Sequence, residues 1–346
     1  MTTQRTRSAG RPTLDEVAAR AGVGRGTVSR VVNGSPQVSP ESKAAVEAAI
    51  AELGYVPNRA ARALVTQRTD SVALVVSESG ERVFGEPFFA GIVRGISAGL
   101  AETPSLQLWL AMAQSPAERD RLHQHLTTQH VDGVMLLSLH DQDPLPELCH
   151  QRGLPTVVGG RPAGGRPRPV SFVDVDNVGG GQLATAHLIG TGRREIGAIA
   201  GPQDMSVGVD RLAGYRKALV EAGLPVVDDL IAYGDFSEES GAAAMRRILD
   251  AHPDVDAVFA ASDLMAFGAM RVLKERGRRI PSDVALVGFE DSMIARQTDP
   301  PLTTVYQPVE EMGREMALLL VERIRGEASS SSSVVLDTHL VRRASA

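Results

Sequence analysis

The chain has 346 residues, more than a usual single domain, so more than one folded unit is expected. Its single cysteine, Cys149, excludes an intrachain disulfide framework and fits a reducing compartment, and no apolar run reaches the ~18 residues needed to span a bilayer. The formal net charge of −6 is unevenly spread: residues 1–62 hold nine Lys/Arg against five Asp/Glu, leaving 27 against 37 for the remainder. A basic head on an acidic body places phosphate contacts at one end only.

Residues 1–12 read as a disordered basic tail, and MTTQRTRSAGR lacks the apolar segment of a signal peptide, so a cytoplasmic protein is expected. A DNA-binding domain is read over 13–57. Thr13 is suited to cap a first helix, with Glu16 three residues on to complete a capping box. Within LDEVAARAGVGRGTVSRVVN, the apolar residues Leu14, Val17, Ala18 and Ala21 recur at helical spacing, as do Val28, Val31 and Val32. Gly22 lies between the two sets, where a tight turn calls for a positive φ. The second helix exposes Arg25, Thr27, Ser29, Arg30 and Asn33, all hydrogen-bonding groups, as a helix entering the DNA major groove must. A third helix starts at Ser39-Pro40 and stops at Gly54, its Ala45, Val46, Ala49, Ile50 and Leu53 covering the first two, with Tyr55 and Val56 expected to finish the core. Residues 58–70 follow as a hinge helix and linker, too short to be helical unaided.

From Ser71 the pattern alternates strand and helix, as expected for an effector-binding and dimerisation core over 71–346. Apolar runs at 72–76, 106–112, 131–137 and 156–158 are separated by helical segments at 89–101, 116–128 and 143–152. A Pro/Gly/Arg-rich break at 159–169 precedes a second series, with strands at 170–176, 195–201, 230–235, 257–262 and 283–289 and helices at 178–190, 209–222, 238–250 and 263–276. Buried parallel strands with crossover helices account for this order, arranged as two α/β lobes around a cleft. The first lobe is assigned 71–169 and 306–333, the second 170–303 and 334–343. Residues 300–308 are read as crossing back, helix 309–325 as packing on the first lobe, VVLDTHLVRR (334–343) as last strands, and Ser329–Ser333 as a flexible loop.

The motifs TLDEVAARAGVGRGTVSRVVNG, VSPESKAAVEAAIAELGYVPN and RAARAL resemble those of the lactose/galactose repressor (LacI/GalR) family, and the resemblance runs through nearly the whole chain. It implies an α/β fold class: an all-α helix-turn-helix head plus a two-lobed core of parallel sheets like the periplasmic sugar-binding proteins. It also implies base reading by Arg25, Gly26, Ser29 and Arg30 and phosphate positioning by Thr13, Thr27, Asn33 and Ser39, with Leu14, Gln37 and Asn58 in the same DNA-binding set. Leu64 becomes a minor-groove wedge, with Ala61 allowing close approach. Gly24 departs from the hydroxyl residue usual there, and Gly26 has no side chain, which shifts readout onto Arg25.

In the cleft the resemblance places Ser138, Arg161, Arg211, Phe236, Ser262, Asp263, Glu290 and Gln307 near a small-molecule effector. Carboxylates, arginines and amides pair with sugar hydroxyls, and Phe236 could stack on a pyranose face. Glu290 stands where the family's GFDD motif has an aspartate, and Ser262 where Asn is common. GPQDMSVGVDRLAGYRKAL further resembles the actinobacterial cellobiose-type repressors, which makes a cello-oligosaccharide or other glucoside the first effector expectation.

The expected function is a homodimeric repressor of carbohydrate uptake or catabolism genes, released from a palindromic operator in double-stranded DNA by a sugar. No leucine heptads follow the fold, which favours a dimer over a tetramer. No cofactor, metal or membrane partner is expected. A regulator answering to a non-sugar effector or co-repressor is the alternative. An NAD-dependent enzyme on the α/β lobes is a remote one that would leave the helix-turn-helix idle, and the missing signal peptide argues against a secreted solute-binding protein. Gly179-Gly180-Gly181 lacks the spacing of a dinucleotide loop. Asp174 and Asp176, two residues apart on a strand, are read as lobe-edge hydrogen bonders rather than a catalytic dyad, and His123, His125 and His130 do not share a face suited to a metal.

Overall fold

The computed structural model describes residues 12–35, 37–56, 68–113, 116–127, 130–162, 170–327 and 331–346. The expected tail, the hinge with Asn58, Ala61 and Leu64, most of the 159–169 break and part of the serine loop lie outside the described residues. The chain divides into two units, Met1–Thr69 and Asp70–Ala346.

The first unit contains α1 (Leu14–Ala21), α2 (Arg25–Val32) and α3 (Pro40–Leu53). Thr13 and Glu16 form the capping box: the Thr13 amide donates to Glu16 Oε2 at 2.8 Å and the Glu16 amide donates to Thr13 Oγ1 at 3.3 Å. Gly22 ends α1 in the left-handed region, φ 66°, where a side chain would be strained. Ser39 caps α3, its Oγ accepting from the Ser42 amide. Val17, Ala18, Val28, Val46, Ala49 and Tyr55 form one small core. Val56 does not join it; at 80% exposed it points to solvent, because Gly54 stops α3 and only Tyr55 folds back, its amide donating to the Ile50 carbonyl.

The second unit contains two six-stranded sheets. Sheet one combines β1 (Ser71–Val76), β2 (Gln107–Met112), β3 (Gly133–Leu137), β4 (Thr156–Gly159), β5 (Ser171–Val175) and β11 (Ser333–Leu336) in the order β11-β5-β4-β3-β1-β2, all parallel. Sheet two combines β6 (Ile196–Ala200), β7 (Ile231–Tyr233), β8 (Ala257–Ala260), β9 (Ala285–Glu290), β10 (Thr303–Tyr306) and β12 (His339–Val341) in the order β12-β10-β9-β8-β6-β7, with only β12 antiparallel. The connecting helices are α4 (Gly80–Gly85), α5 (Pro87–Leu100), α6 (Pro116–Thr127) and α7 (Leu145–Gln151), then α8 (Asn177–Gly190), α9 (Ser206–Glu221), α10 (Glu238–Ala251), α11 (Asp263–Glu275) and α12 (Met293–Gln297), and finally α13 (Val309–Arg325).

The strand sequences alternate faces rather than burial. Val72, Leu74 and Val76 of β1 pack with Ile92, Ile96, Met316 and Leu320 on one side of sheet one, while Ala73 and Val75 pack with Leu136, Leu145 and Val158 on the other. With helices on both faces, every residue of β1 is buried and the run reads as continuously apolar. At ~1.5–3 kcal/mol per large apolar side chain buried, such packing outweighs any local strand preference.

Two expectations about the lobes are corrected. Strand β5 belongs to the first sheet, pairing Val157 with Ser171 and Val158 with Phe172, so the Pro/Gly/Arg-rich break joins neighbouring strands of one sheet instead of separating the lobes. The chain crosses at the start of α8, which packs on α9, β9 and β10 of the second lobe. The terminal segment is also shared: β11 returns to β5 in sheet one, and only β12 joins β10 in sheet two. Helix α13 packs against α5, β3, β4 and β5 of the first lobe, as the sequence leads one to expect. The triple glycine is a packing device. A Cβ at Gly181 would meet the Arg211 carbonyl at 2.3 Å, and one at Gly214 would meet the Val178 carbonyl at 2.2 Å, so α8 and α9 touch backbone to backbone.

Candidate functional site

The exposed face of the helix-turn-helix comes from α2 and the ends of its neighbours. Arg25 and Arg30 are exposed, and Thr27 and Ser29 lie at the edge of the face. Gly26 is open, with nothing near a hypothetical Cβ. Arg25 is held only loosely: its Nε lies 3.6 Å from Asp15 Oδ1 with both side chains 69% exposed, so the guanidinium is free to reach outward. Asn33 donates to Ser29 Oγ at 3.4 Å. Thr13 and Ser39 have their hydroxyls committed to helix caps, so what they offer a phosphate is the partly positive helix N-terminus they fix. Leu14 is half-buried in the small core, and Gln37 is exposed beyond α2.

In the second unit a cleft of about 990 Å³, its solvent-open mouth included, lies between the two sheets. Its lining comes from the carboxyl ends of strands in both lobes, the location at which open α/β sheets bind ligands. Ser138 follows β3, Arg161 follows β4, Arg211 is on α9 after β6, Phe236 follows β7, Glu290 ends β9 and Gln307 follows β10; all six line the cleft. Ser138, Phe236 and Glu290 have positive φ, at 57°, 75° and 115°. Three non-glycine residues held in that region on one cavity are the kind of local strain that sites retain.

Ser262 and Asp263 do not line the cleft. Ser262 is buried at the N-cap of α11 and donates to the Phe236 carbonyl at 3.4 Å. Asp263 is fully buried, accepting from Thr304 Oγ1 at 2.6 Å and from the Ser292 amide at 2.7 Å, and burial pushes its carboxyl up to about 6. Both support the loops that carry Phe236 and Glu290. The Phe236 ring in turn lies where a Cβ on Gly201 would come within 2.4 Å of it.

Arg211 organises the cleft floor. It is buried, donates to Asn177 Oδ1 at 2.9 Å, the Ala261 carbonyl at 2.6 Å and Gln307 Oε1 at 2.8 Å, and stacks on the Phe289 ring at 3.6 Å. Burial lowers its guanidinium to about 10, opposed by the attraction of Glu290, Asp174 and Asp263. Burial likewise raises Glu290 to about 8 against the pull of Arg211. Asp174 shares the floor. Its Oδ1 accepts from the Val175 amide and Asn177, its Oδ2 from the Arg161 amide, and burial still holds its carboxyl above the ordinary range.

The sequence reading missed part of the first-lobe wall. Glu78, Arg82 and Glu86 line the cleft beside Phe88 and Phe89, with Arg82 Nη1 2.8 Å from Glu78 and Nε 2.6 Å from Glu86. Their signal was position: they follow β1, whose carboxyl end faces the cleft like those of the other central strands. His140, Asp143 and Met205 were missed for the same reason. Cys149 is buried, and burial pushes its thiol up to about 11, which removes it as a nucleophile. Among the described residues no cluster of three or more His, Cys, Asp or Glu could hold a metal, and no helix is long and apolar enough to cross a membrane.

Comparison with known proteins adds identity to this geometry. Residues 13–58 match the pattern of bacterial regulatory proteins of the lacI family, and residues 185–346 that of the periplasmic binding protein-like domain. The chain is 59% identical over 335 residues to the HTH-type transcriptional regulator CelR of Thermobifida fusca, covering 97% of this chain and 98% of that one. It is 35% identical over 338 residues to the HTH-type transcriptional repressor PurR of Salmonella paratyphi B, covering 96% of each. Among solved structures it is similar to a complex of the regulator CelR with cellobiose (TM-score 0.79, 57% identity, 97% and 100% coverage). It is also similar to a lac repressor dimer bound to operator and the anti-inducer ONPF (TM-score 0.83, 28% identity, 97% and 99% coverage).

Proposed function

Because the chain belongs to the lacI family of bacterial regulatory proteins, and is a DNA-binding transcriptional regulator rather than an enzyme, we propose that it is a cytoplasmic homodimeric repressor whose effector is a β-linked glucose disaccharide of the cellobiose class. The observation that supports this most is the two-lobed cleft of a chain 59% identical to CelR, a regulator with a solved cellobiose complex. The cleft chemistry agrees with such a ligand: aromatic Phe88 and Phe236 offer faces to sugar rings, while carboxylates and Gln307 offer hydrogen-bond partners to hydroxyls. Two identical heads related by a two-fold axis read inverted half-sites, so the operator is a near-palindrome. Effector binding shifts the population of lobe arrangements and weakens operator affinity, a coupling of typically ~1–3 kcal/mol that must be reciprocal.

Thermal unfolding of the protein against a saccharide panel tests the effector, because a ligand bound only by the folded state raises the apparent stability. Cellobiose and short cello-oligosaccharides should raise the melting temperature and release the protein from operator DNA in a mobility-shift assay. A response to nucleobases with none to saccharides would replace the sugar reading.

A further inference from the structure

The cleft is crowded with carboxylates whose number exceeds that of its cations. Glu78, Glu86, Asp141, Asp143 and Asp174 line it, against Arg82, Arg161 and Arg211. Each guanidinium is already committed. Arg82 is clasped by Glu78 and Glu86. Arg161 is forked onto Asp210, with Nη2 at 2.6 and 2.7 Å from its two oxygens. Arg211 spends its donors on Asn177, Ala261 and Gln307, and its face on Phe289. His140 is taken by Asp204, 2.7 Å from its Nδ1. Among the described lining residues each guanidinium already has acceptor partners, and the lone pairs that remain on the carboxylates suit hydroxyl donors.

From this arrangement we propose that the cleft selects by charge: it admits an uncharged saccharide and rejects the same saccharide carrying a carboxylate or phosphate. The proposal rests on the saccharide reading above and sharpens it. A like charge brought against a carboxylate wall is repelled, and an arginine already paired is recruited at the expense of its own ion pair. The regulator therefore reports on a saccharide delivered without phosphoryl transfer to it, and it stays silent toward products of sugar oxidation.

The test is calorimetric titration of the full-length protein with cellobiose and with its counterpart in which one primary alcohol is oxidised to a carboxylate, ring form and linkage unchanged. The oxidised sugar should bind about tenfold or more weakly than cellobiose. In the Glu78→Gln/Glu86→Gln variant, which leaves Arg82 uncompensated, that gap should narrow by about tenfold or more, and Asp210→Asn should narrow it from the opposite lobe by freeing Arg161. Equal binding of the two sugars by the wild type overturns the proposal while leaving the saccharide reading intact. A gap of the same size in both variants also overturns it, since the rejection is then one of shape. If neither sugar binds, the effector reading itself falls, and this inference with it.

Discussion

Arg161 and Asp210 face each other across the cleft and form a forked ion pair, with Arg161 Nη2 2.6 Å from one Asp210 oxygen and 2.7 Å from the other. The arginine follows β4 in the first lobe and the aspartate sits on α9 in the second, so the pair joins the lobes directly. Two neighbours do the same: Ser206 Oγ donates to the Arg161 carbonyl at 2.6 Å, and His140 pairs with Asp204. All three contacts bridge the first lobe to the second.

These bridging contacts should behave as a latch. Asp210→Asn removes the charge from a carboxylate that is 13% exposed while its partner is 47% exposed, so its worth is near the upper end of the ~0.2–1 kcal/mol found for accessible pairs. A closed, ligand-holding arrangement loses that much relative to an open one, and effector affinity should fall about fivefold, chiefly through faster release. Stopped-flow dissociation measures it. An unchanged release rate would show that the pair closes nothing.

Arg211 should matter far more to stability than arginines at the surface. Arg211→Met leaves Asn177 Oδ1, the Ala261 carbonyl and Gln307 Oε1 without their donor inside the protein, and a loss of about 3 kcal/mol or more is expected. Arg276, paired with Asp250 at 3.0 Å but with both side chains about half exposed, is the control, and Arg276→Ala should cost less than ~1 kcal/mol. Denaturant unfolding of the two variants side by side checks the contrast.

Glu290 sets a pH dependence whose sign can be worked out. Its carboxyl is raised from 4.5 to about 8, first by burial, with Arg211 opposing. Between those values the native state holds a proton that the unfolded chain has released, so this group's contribution is fully present below about 4.5 and is lost as pH rises through about 8. Asp263, raised to about 6, acts in the same direction at lower pH. The ligand-free wild type should therefore lose thermal stability from pH 6 to pH 8.5 by more than Glu290→Gln does. Parallel curves for the two proteins would mean that Glu290 does not hold the proton.

What the sequence disclosed and what it hid divide along physical lines. The head was legible because its determinants are local: Thr13 with Glu16, Gly22, Ser39-Pro40 and Gly54 each act within a few residues. Strands β1 to β9 were legible in order from apolar runs, whereas β10 lies in a stretch read as a crossing segment. Sheet membership was not, since β5 and β11 are assigned by pairing with chain segments far away, and a Pro/Gly-rich stretch marks a loop without saying where it leads. In the cleft, a motif places Asp263 near the ligand site but cannot distinguish a lining group from one that holds a loop through Thr304 and Ser292. Glu78, Arg82 and Glu86 went unseen because they carry no motif, only a place after β1.

The last prediction concerns DNA readout by Arg25. On this head Gly26 contributes no side chain and Gly24 no hydroxyl, so Arg25 is the first long donor at the start of α2. An arginine there can reach guanine O6 and N7 with two parallel hydrogen bonds, worth ~1–3 kcal/mol of discrimination against other bases. Its ion pair with Asp15, at 3.6 Å and largely in solvent, is too weak to compete. Arg25→Ala should therefore weaken operator binding by about fivefold to a hundredfold and relax the preference at one base of each half-site, leaving the other positions as they were. Asp15→Ala should leave that preference in place. Selection of binding sites from random DNA reads every position at once. Uniform weakening across all sequences, with the base profile unchanged, would make Arg25 a phosphate contact and move the readout to Ser29 and Arg30.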